Sequence, residues 1–171
     1  MCGSKHKVLM INKLLFARIA SLSLIAVLLV GGIACAAADE SRFDFADKQA
    51  SIVLAPGVTA RPVGGLPPET ELFYLMRGTK RVLGIYVGNA PDTTNTGTAA
   101  PMKETLAGYT ALNYVASDEH GRSRQTFVEV KDQGWPNVIH FFYSGASAED
   151  AEMADKMIES LQIAGAPAAQ K

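Results

Sequence analysis

The sequence predicts an α+β domain: a mainly antiparallel sheet with a C-terminal helix packed on it, preceded by a signal peptide. Three observations predict this. Charge and hydropathy change together near residue 38. Beyond that point, short apolar runs are punctuated by Gly, Pro, Asp and Asn, as strands and tight turns require. A single stretch near the C-terminus carries apolar residues at a helical period.

Residues 1–38 hold Lys5, Lys7, Lys13 and Arg18 and no Asp or Glu. From Ile19 to Ala38 nothing is charged. A basic start, an apolar run and a small-residue end make an export signal. Its end, "LLVGGIACAAADE", contains Cys35. A lipid-attachment site wants a Leu-like residue three positions before the cysteine, and Gly32 stands there. Ala36-Ala37-Ala38 supplies a small-x-small cleavage site directly before Asp39. Cleavage near Asp39 is the reading, with lipidation at Cys35 as the alternative. An uncleaved anchor is the third, since the uncharged run is long enough to span a bilayer. Met10 opens a compact signal of its own, so the start is Met1 or Met10.

Residues 39–163 are one domain's worth of chain, and 164–171 read as a flexible tail. Residues 39–171 carry all seventeen acidic residues against twelve of the sixteen basic ones, a net charge of −5. An acidic domain without a basic cluster speaks against nucleic acid and against anionic membrane surfaces. The two cysteines, Cys2 and Cys35, both lie in the leader. The mature domain is therefore expected to fold without disulfide, metal or cofactor.

The elements follow in order. Ser51 to Ala55 reads as a strand closed by Pro56-Gly57. "GVTARPVGGLPPE" reads as a loop. Leu72 to Met76 and Val82 to Val87 read as the arms of a hairpin turning at "RGTK", where Gly78 supplies a positive φ. "PDTTNTGTAAP" has no large apolar residue and reads as a polar loop. Three strands follow, "ETLAGYTALNYVAS", "RQTFVEV" and "NVIHFFYS", joined by "DEHGR" and "DQGWPN". In "SAEDAEMADKMIESLQ", Met153, Met157 and Leu161 stand at i, i+4 and i+8, flanked by Ala154 and Ile158. Ser147 is the N-cap, and Glu149 and Asp150 suit the positive end of the helix dipole. An apolar helix face needs a partner, and the sheet is the available one.

The run from "LAGYTALNYVAS" through "VIHFFYSGASAEDAEMADKMIESLQI" gives a Gly-entered strand, a Gly turn, two strands and a helix ending in Ser-Leu-x-Ile. This layout resembles the end of the PsbP-like α/β/α sandwich, which includes an extrinsic photosystem subunit and many small exported bacterial proteins and lipoproteins. "ASIVLAPG" is similar to the strand that closes on a Pro at that fold's start, without the aromatic that commonly follows it. The resemblance covers most of residues 39–163 in layout. It implies a non-catalytic accessory or binding role and carries over no functional residue.

His140 lies in "VIHFFY", where alternation puts it on one face with Val138 and Phe142. A packed, neutral sheet histidine is expected there; a general base or metal ligand is the competing reading. His120, with Asp118 and Glu119, reads as a solvated turn. Tyr74, Tyr86, Tyr109, Tyr114 and Tyr143 are spread over the strands and either cover core edges or line a groove. Trp135, the single tryptophan, packs over the sheet end or anchors a partner. Trp135, Tyr74, Tyr86 and His140 are the candidate contact residues; none is assigned a catalytic or metal role. No nucleophile-and-base pattern, zinc motif or phosphate loop is present.

The function expected is that of a small exported cell-envelope protein, periplasmic or secreted, acting as a non-catalytic accessory or protein-binding domain. A periplasmic carrier of a small apolar ligand is the alternative, and would need a cavity of a few hundred Å³. An enzyme using His140 comes last, since it needs an acidic partner in the same pocket.

Overall fold

The computed structural model describes residues 41–94, 96, 100–130 and 135–166. The leader, including Cys35 and both candidate starts, lies outside the described residues, as do residues 167–171 of the expected tail. The elements are β1 (Arg42–Phe45), β2 (Ala50–Val53), β3 (Val58–Pro62), β4 (Glu71–Arg77), β5 (Lys80–Gly88), β6 (Met102–Leu106), β7 (Tyr109–Asp118), β8 (Gly121–Glu129), β9 (Val138–Ala146), α1 (Ala148–Glu159) and β10 (Gln162–Ile163). The fold is α+β, mainly antiparallel sheet with one C-terminal helix packed on it. Among the described residues no helix is long and apolar enough to cross a membrane.

Seven strands form one sheet in the order β3-β4-β5-β9-β8-β7-β6, and every neighbouring pair is antiparallel. A second sheet, β1-β2-β10, is three-stranded. Alternation gives the large sheet two faces. Leu75, Leu83, Ile85, Val128, Ile139 and Phe141 point to one of them and are fully buried. On that side lie α1, through Ala151, Ala154, Met157 and Ile158, and the small sheet, through Phe45, Ala50 and Ile52. The Phe45 ring meets Phe141 edge-on at 6.5 Å, and Phe43 meets Phe73 at 5.0 Å.

The helix forms where its period predicts. Ser147 accepts from Asp150 N, and Glu149 and Asp150 occupy the first turn. Met153 sits at the rim of the stripe, half-buried, while Leu161 is buried just past the helix end. Ser160 closes the helix and accepts from Val53 N at 2.8 Å, tying the helix end to β2.

Two expectations need correction. The segment read as a loop from Gly57 contains β3, an edge strand paired with β4. Its Arg61 and Pro62 hid the alternation; at an edge, on the last residue, a proline costs no ladder bond. "ETLAGYTALNYVAS" is two strands, β6 and β7, folded at Ala107-Gly108 with φ of 50° and 83°. A two-residue turn with both φ positive is a hairpin turn, but Ala-Gly lacks the Asn or Asp that advertises one. At the end of the domain β10 pairs with β2, and Ala164 N donates to Gln49 O at 2.8 Å.

Candidate functional site

The other face of the seven-stranded sheet is the candidate site. Among the described residues neither the helix nor the small sheet packs on it. Register places its side chains. Tyr86 stands opposite His140, Gly84 opposite Phe142, and Tyr74 opposite Gly84. On the other flank His140 pairs with Phe127, Phe142 with Gln125, and Gln125 with Tyr114.

The result is a row of rings running across the strands. Tyr114 meets Phe127 edge-on at 5.9 Å. Phe127 stacks on His140 at 4.0 Å, and His140 leans on Phe142 at 5.1 Å. The Arg81 guanidinium lies 4.8 Å from the Tyr74 ring centre and 5.9 Å from that of Phe142, within cation–π range of both. Two glycines make room for the row. A Cβ at Gly84 would collide with three ring carbons of Phe142. One at Gly88 would stand 2.6 Å from the Tyr86 hydroxyl.

His140 is 4% exposed, and its Nε2 lies 2.9 Å from Gln125 Oε1. Burial pushes its pKa down to about 4, against the opposing pull of the Asp92 carboxylate. Asp92 itself is held below the usual carboxylate range, first by the Thr94 hydroxyl and then by Thr94 N. At neutral pH the imidazole is therefore uncharged, and with Nε2–H it donates to Gln125. A base so weak at neutral pH removes protons poorly. The Tyr86 hydroxyl is engaged too, accepting from Ala90 N at 3.2 Å.

Of the four candidate contact residues, Tyr86 and His140 are neighbours across β5 and β9. Tyr74 shares their face but stands toward the Arg81 end. Trp135 is set apart. Its indole donates to Glu69 O at 2.8 Å, and its ring packs half-buried against the core beside the loop that precedes β4. His120 is exposed in the turn between β7 and β8, its N donating to Asp118 Oδ1. Tyr143 points to the helix side, where burial and then Asp155 raise its pKa to about 12.

Sequence reasoning passed over Arg81, Phe127, Phe142 and Asp92. One signal was available: "GIYVG" puts Gly84 and Gly88 on the same strand face as Tyr86, and glycines inside a strand mark close approach. It also passed over the buried charges on the helix side. Asp150 is 2% exposed and accepts from Arg77, Lys80 and Ser147. The Lys80 hydrogen bond is the main reason that its pKa is lowered. Among the described residues no group of three His, Cys, Asp or Glu stands ready to hold a metal ion.

A small cleft of about 60 Å³ opens at the Arg81 end of the row, lined among others by Lys80, Arg81, Leu83, Phe142, Ser144 and Asp150. Pockets for whole small molecules run from roughly 300 Å³ upward.

No family model matches the chain, and no curated protein matches it. A 1.50 Å crystal structure of a protein from Bacteroides thetaiotaomicron VPI-5482 is similar over 72% of this chain and 48% of that one, with 13% identity and a TM-score of 0.37. This chain thus spans about half the length of that protein. At that score the likeness bears on neither fold nor function.

Proposed function

We propose that the protein is a small exported cell-envelope protein that acts as a non-catalytic, partner-binding domain. The observation that supports it is the row Tyr114–Phe127–His140–Phe142–Arg81–Tyr74 on the sheet face opposite the helix, buried at Phe127 and His140 and reaching solvent at Arg81 and, in part, at Tyr114, Phe142 and Tyr74. Aromatic and arginine side chains held rigid by their neighbours are the usual anchors of protein interfaces. Export is argued from the basic and apolar composition of residues 1–38. The PsbP-like layout agrees with an accessory role.

The test is site-specific photo-cross-linking in the native host. A photoreactive phenylalanine analogue is placed at Tyr74, at Tyr114 or at Glu152 on the exposed side of the helix. Adducts are expected from the two sheet positions and not from Glu152. Equal adducts at all three positions, or none at Tyr74 and Tyr114, overturn the reading.

A further inference from the structure

We propose that the cleft between β5 and β9 is a carboxylate-binding site, an inference that rests on the binding role above and names the chemistry of its ligand. The cleft has a definite origin. The β5–β9 pairing runs from Gly88↔Val138 to Gly84↔Phe142 and then stops, although β5 continues back to Lys80 and β9 forward to Ala146. Continued register would have joined Lys80–Leu83 to Tyr143–Ala146. Those segments line the gap instead.

Both flanking ladders are irregular at this end. The β4–β5 register shifts between Leu75 and Met76, leaving Val82 as the extra residue. The β8–β9 register shifts between Arg122 and Arg124. Bulges bend a strand and increase its twist, so two of them draw neighbouring strands apart. Ladder positions without a strand partner are thereby presented to the gap, and backbone donors in such concavities capture carboxylates.

The charges fit the same ligand. Arg77, Lys80 and Arg81 lie within five residues of an otherwise acidic domain. Arg77 and Lys80 are taken up by Asp150, so that carboxylate is neutralised at the cleft wall. Arg81 forms no ion pair among the described residues; it is held over the rings of Tyr74 and Phe142. A guanidinium stacked in this way keeps its N–H edge available for a bidentate carboxylate. The volume of about 60 Å³ suits that group alone, and the apolar part next to it rests on Phe142 and Tyr74.

The ligand is therefore a carboxylate joined to an apolar or aromatic group, either a free acid or the C-terminus of a polypeptide. The experiment is an NMR titration of the ¹⁵N-labelled protein, purified from its host. The probes are 3-phenylpropionate, its primary amide, and N-acetyl-Ala-Ala-Phe with a free or an amidated terminus. Shifts are expected at Arg81–Leu83 and Ser144–Ala146 with the acids, and at least tenfold weaker binding with the amides. Arg81→Gln should weaken acid binding at least tenfold, Arg81→Lys should fall between, and Arg61→Gln on β3 should change nothing. Spectral dispersion of each variant reports its folding.

Tighter binding of the peptide acid assigns a chain terminus, and equal binding assigns a free acid; either supports the site. Acids and amides binding alike, an unaffected Arg81→Gln variant, or no shift with either acid overturns it. If cross-links from Tyr74 and Tyr114 persist while no acid binds, the carboxylate site falls and the binding role stands. If acids bind while those cross-links are absent, the partner reading falls alone.

Discussion

Arg124 on β8 donates from Nη1 to Asp155 of the helix at 3.1 Å, with the two side chains 9% and 13% exposed. The same Asp155 oxygen accepts from the Tyr143 hydroxyl at 3.0 Å, and its other oxygen meets Arg122. Arg124 also reaches Asn113, Thr126 and Glu104. Asp150 makes the corresponding clamp to β4 and β5. The apolar stripe of the helix thus lies between two polar fixtures, which set its register on a surface that would otherwise let it slide.

Removing Asp155 takes one of two carboxylate partners from the enclosed Arg124, which keeps Glu104, and takes its partner from Arg122, whose side chain is 39% exposed. Asp155→Ala is expected to cost about 1.5–3 kcal/mol, the usual loss for a hydrogen bond to a charged group, since Arg124 keeps its other partners. Denaturant unfolding with an unchanged slope measures it. A loss below about 1 kcal/mol would show that water satisfies the network without the acid.

Ile158 is fully buried and Met157 nearly so. Ile158→Ala should open a cavity and cost about 2–5 kcal/mol. Met157→Asp should be worse, since it buries an unpaired charge. Glu152 is exposed and, among the described residues, paired with Lys156 alone, so Glu152→Ala should leave the midpoint where it was. Equal midpoints for the alanine variants at 152 and 158 would contradict the helix face described above.

His140 makes stability depend on pH with a definite sign. Its folded pKa of about 4 lies below its ordinary 6.5, so the unfolded chain binds the extra proton first. The neutral ring's advantage is complete above pH 6.5, declines as the pH falls toward 4, and is spent below that. The span corresponds to about 3 kcal/mol. His140→Gln should flatten the stability profile between these limits, read from denaturant midpoints at a series of pH values. A profile as steep as the parent's would mean that other groups cause the slope.

Ala46, Asp47 and Lys48 all have positive φ, at 53°, 50° and 65°. Three successive left-handed residues with side chains are strained, at about 1 kcal/mol or more each. Glu71 holds the turn from below by accepting from Ala46 N at 2.9 Å. Lys48→Gly should raise stability by up to about 1 kcal/mol, after the larger entropy of the unfolded glycine is set against the relieved strain. Thermal melts decide, and a lower Tm would show that the Lys48 side chain supports the turn.

Much of the fold was legible because it follows local periods. The helix was marked by Met153, Met157 and Ile158, and the β4–β5 hairpin by Gly78, whose φ is 63°. Val138, His140 and Phe142 share a face because strands alternate. What stayed hidden depends on pairing between distant segments. Nothing near Asp150 announces Arg77 or Lys80, seventy residues or more away. Arg81 meets Phe142 only because β5 and β9 are neighbours in the sheet, which chain order does not foretell. β3 was missed because its edge position permits a proline, and the β6–β7 turn because Ala107 stands where Asn is usual.

The pairing of β10 with β2 sets a schedule for folding. Among the described residues Gln162 and Ile163 are the last in a strand, yet their partners are Ser51 and Ala50, among the first. A polypeptide emerging N-terminus first, from a ribosome or a translocation channel, presents β1 and β2 more than a hundred residues before the strand that completes their sheet. The helix that covers the core arrives just ahead of that strand. Such distant closure is slow relative to local pairing. The nascent domain therefore stays incomplete until nearly its whole length is out, and a chain in that condition can still be threaded.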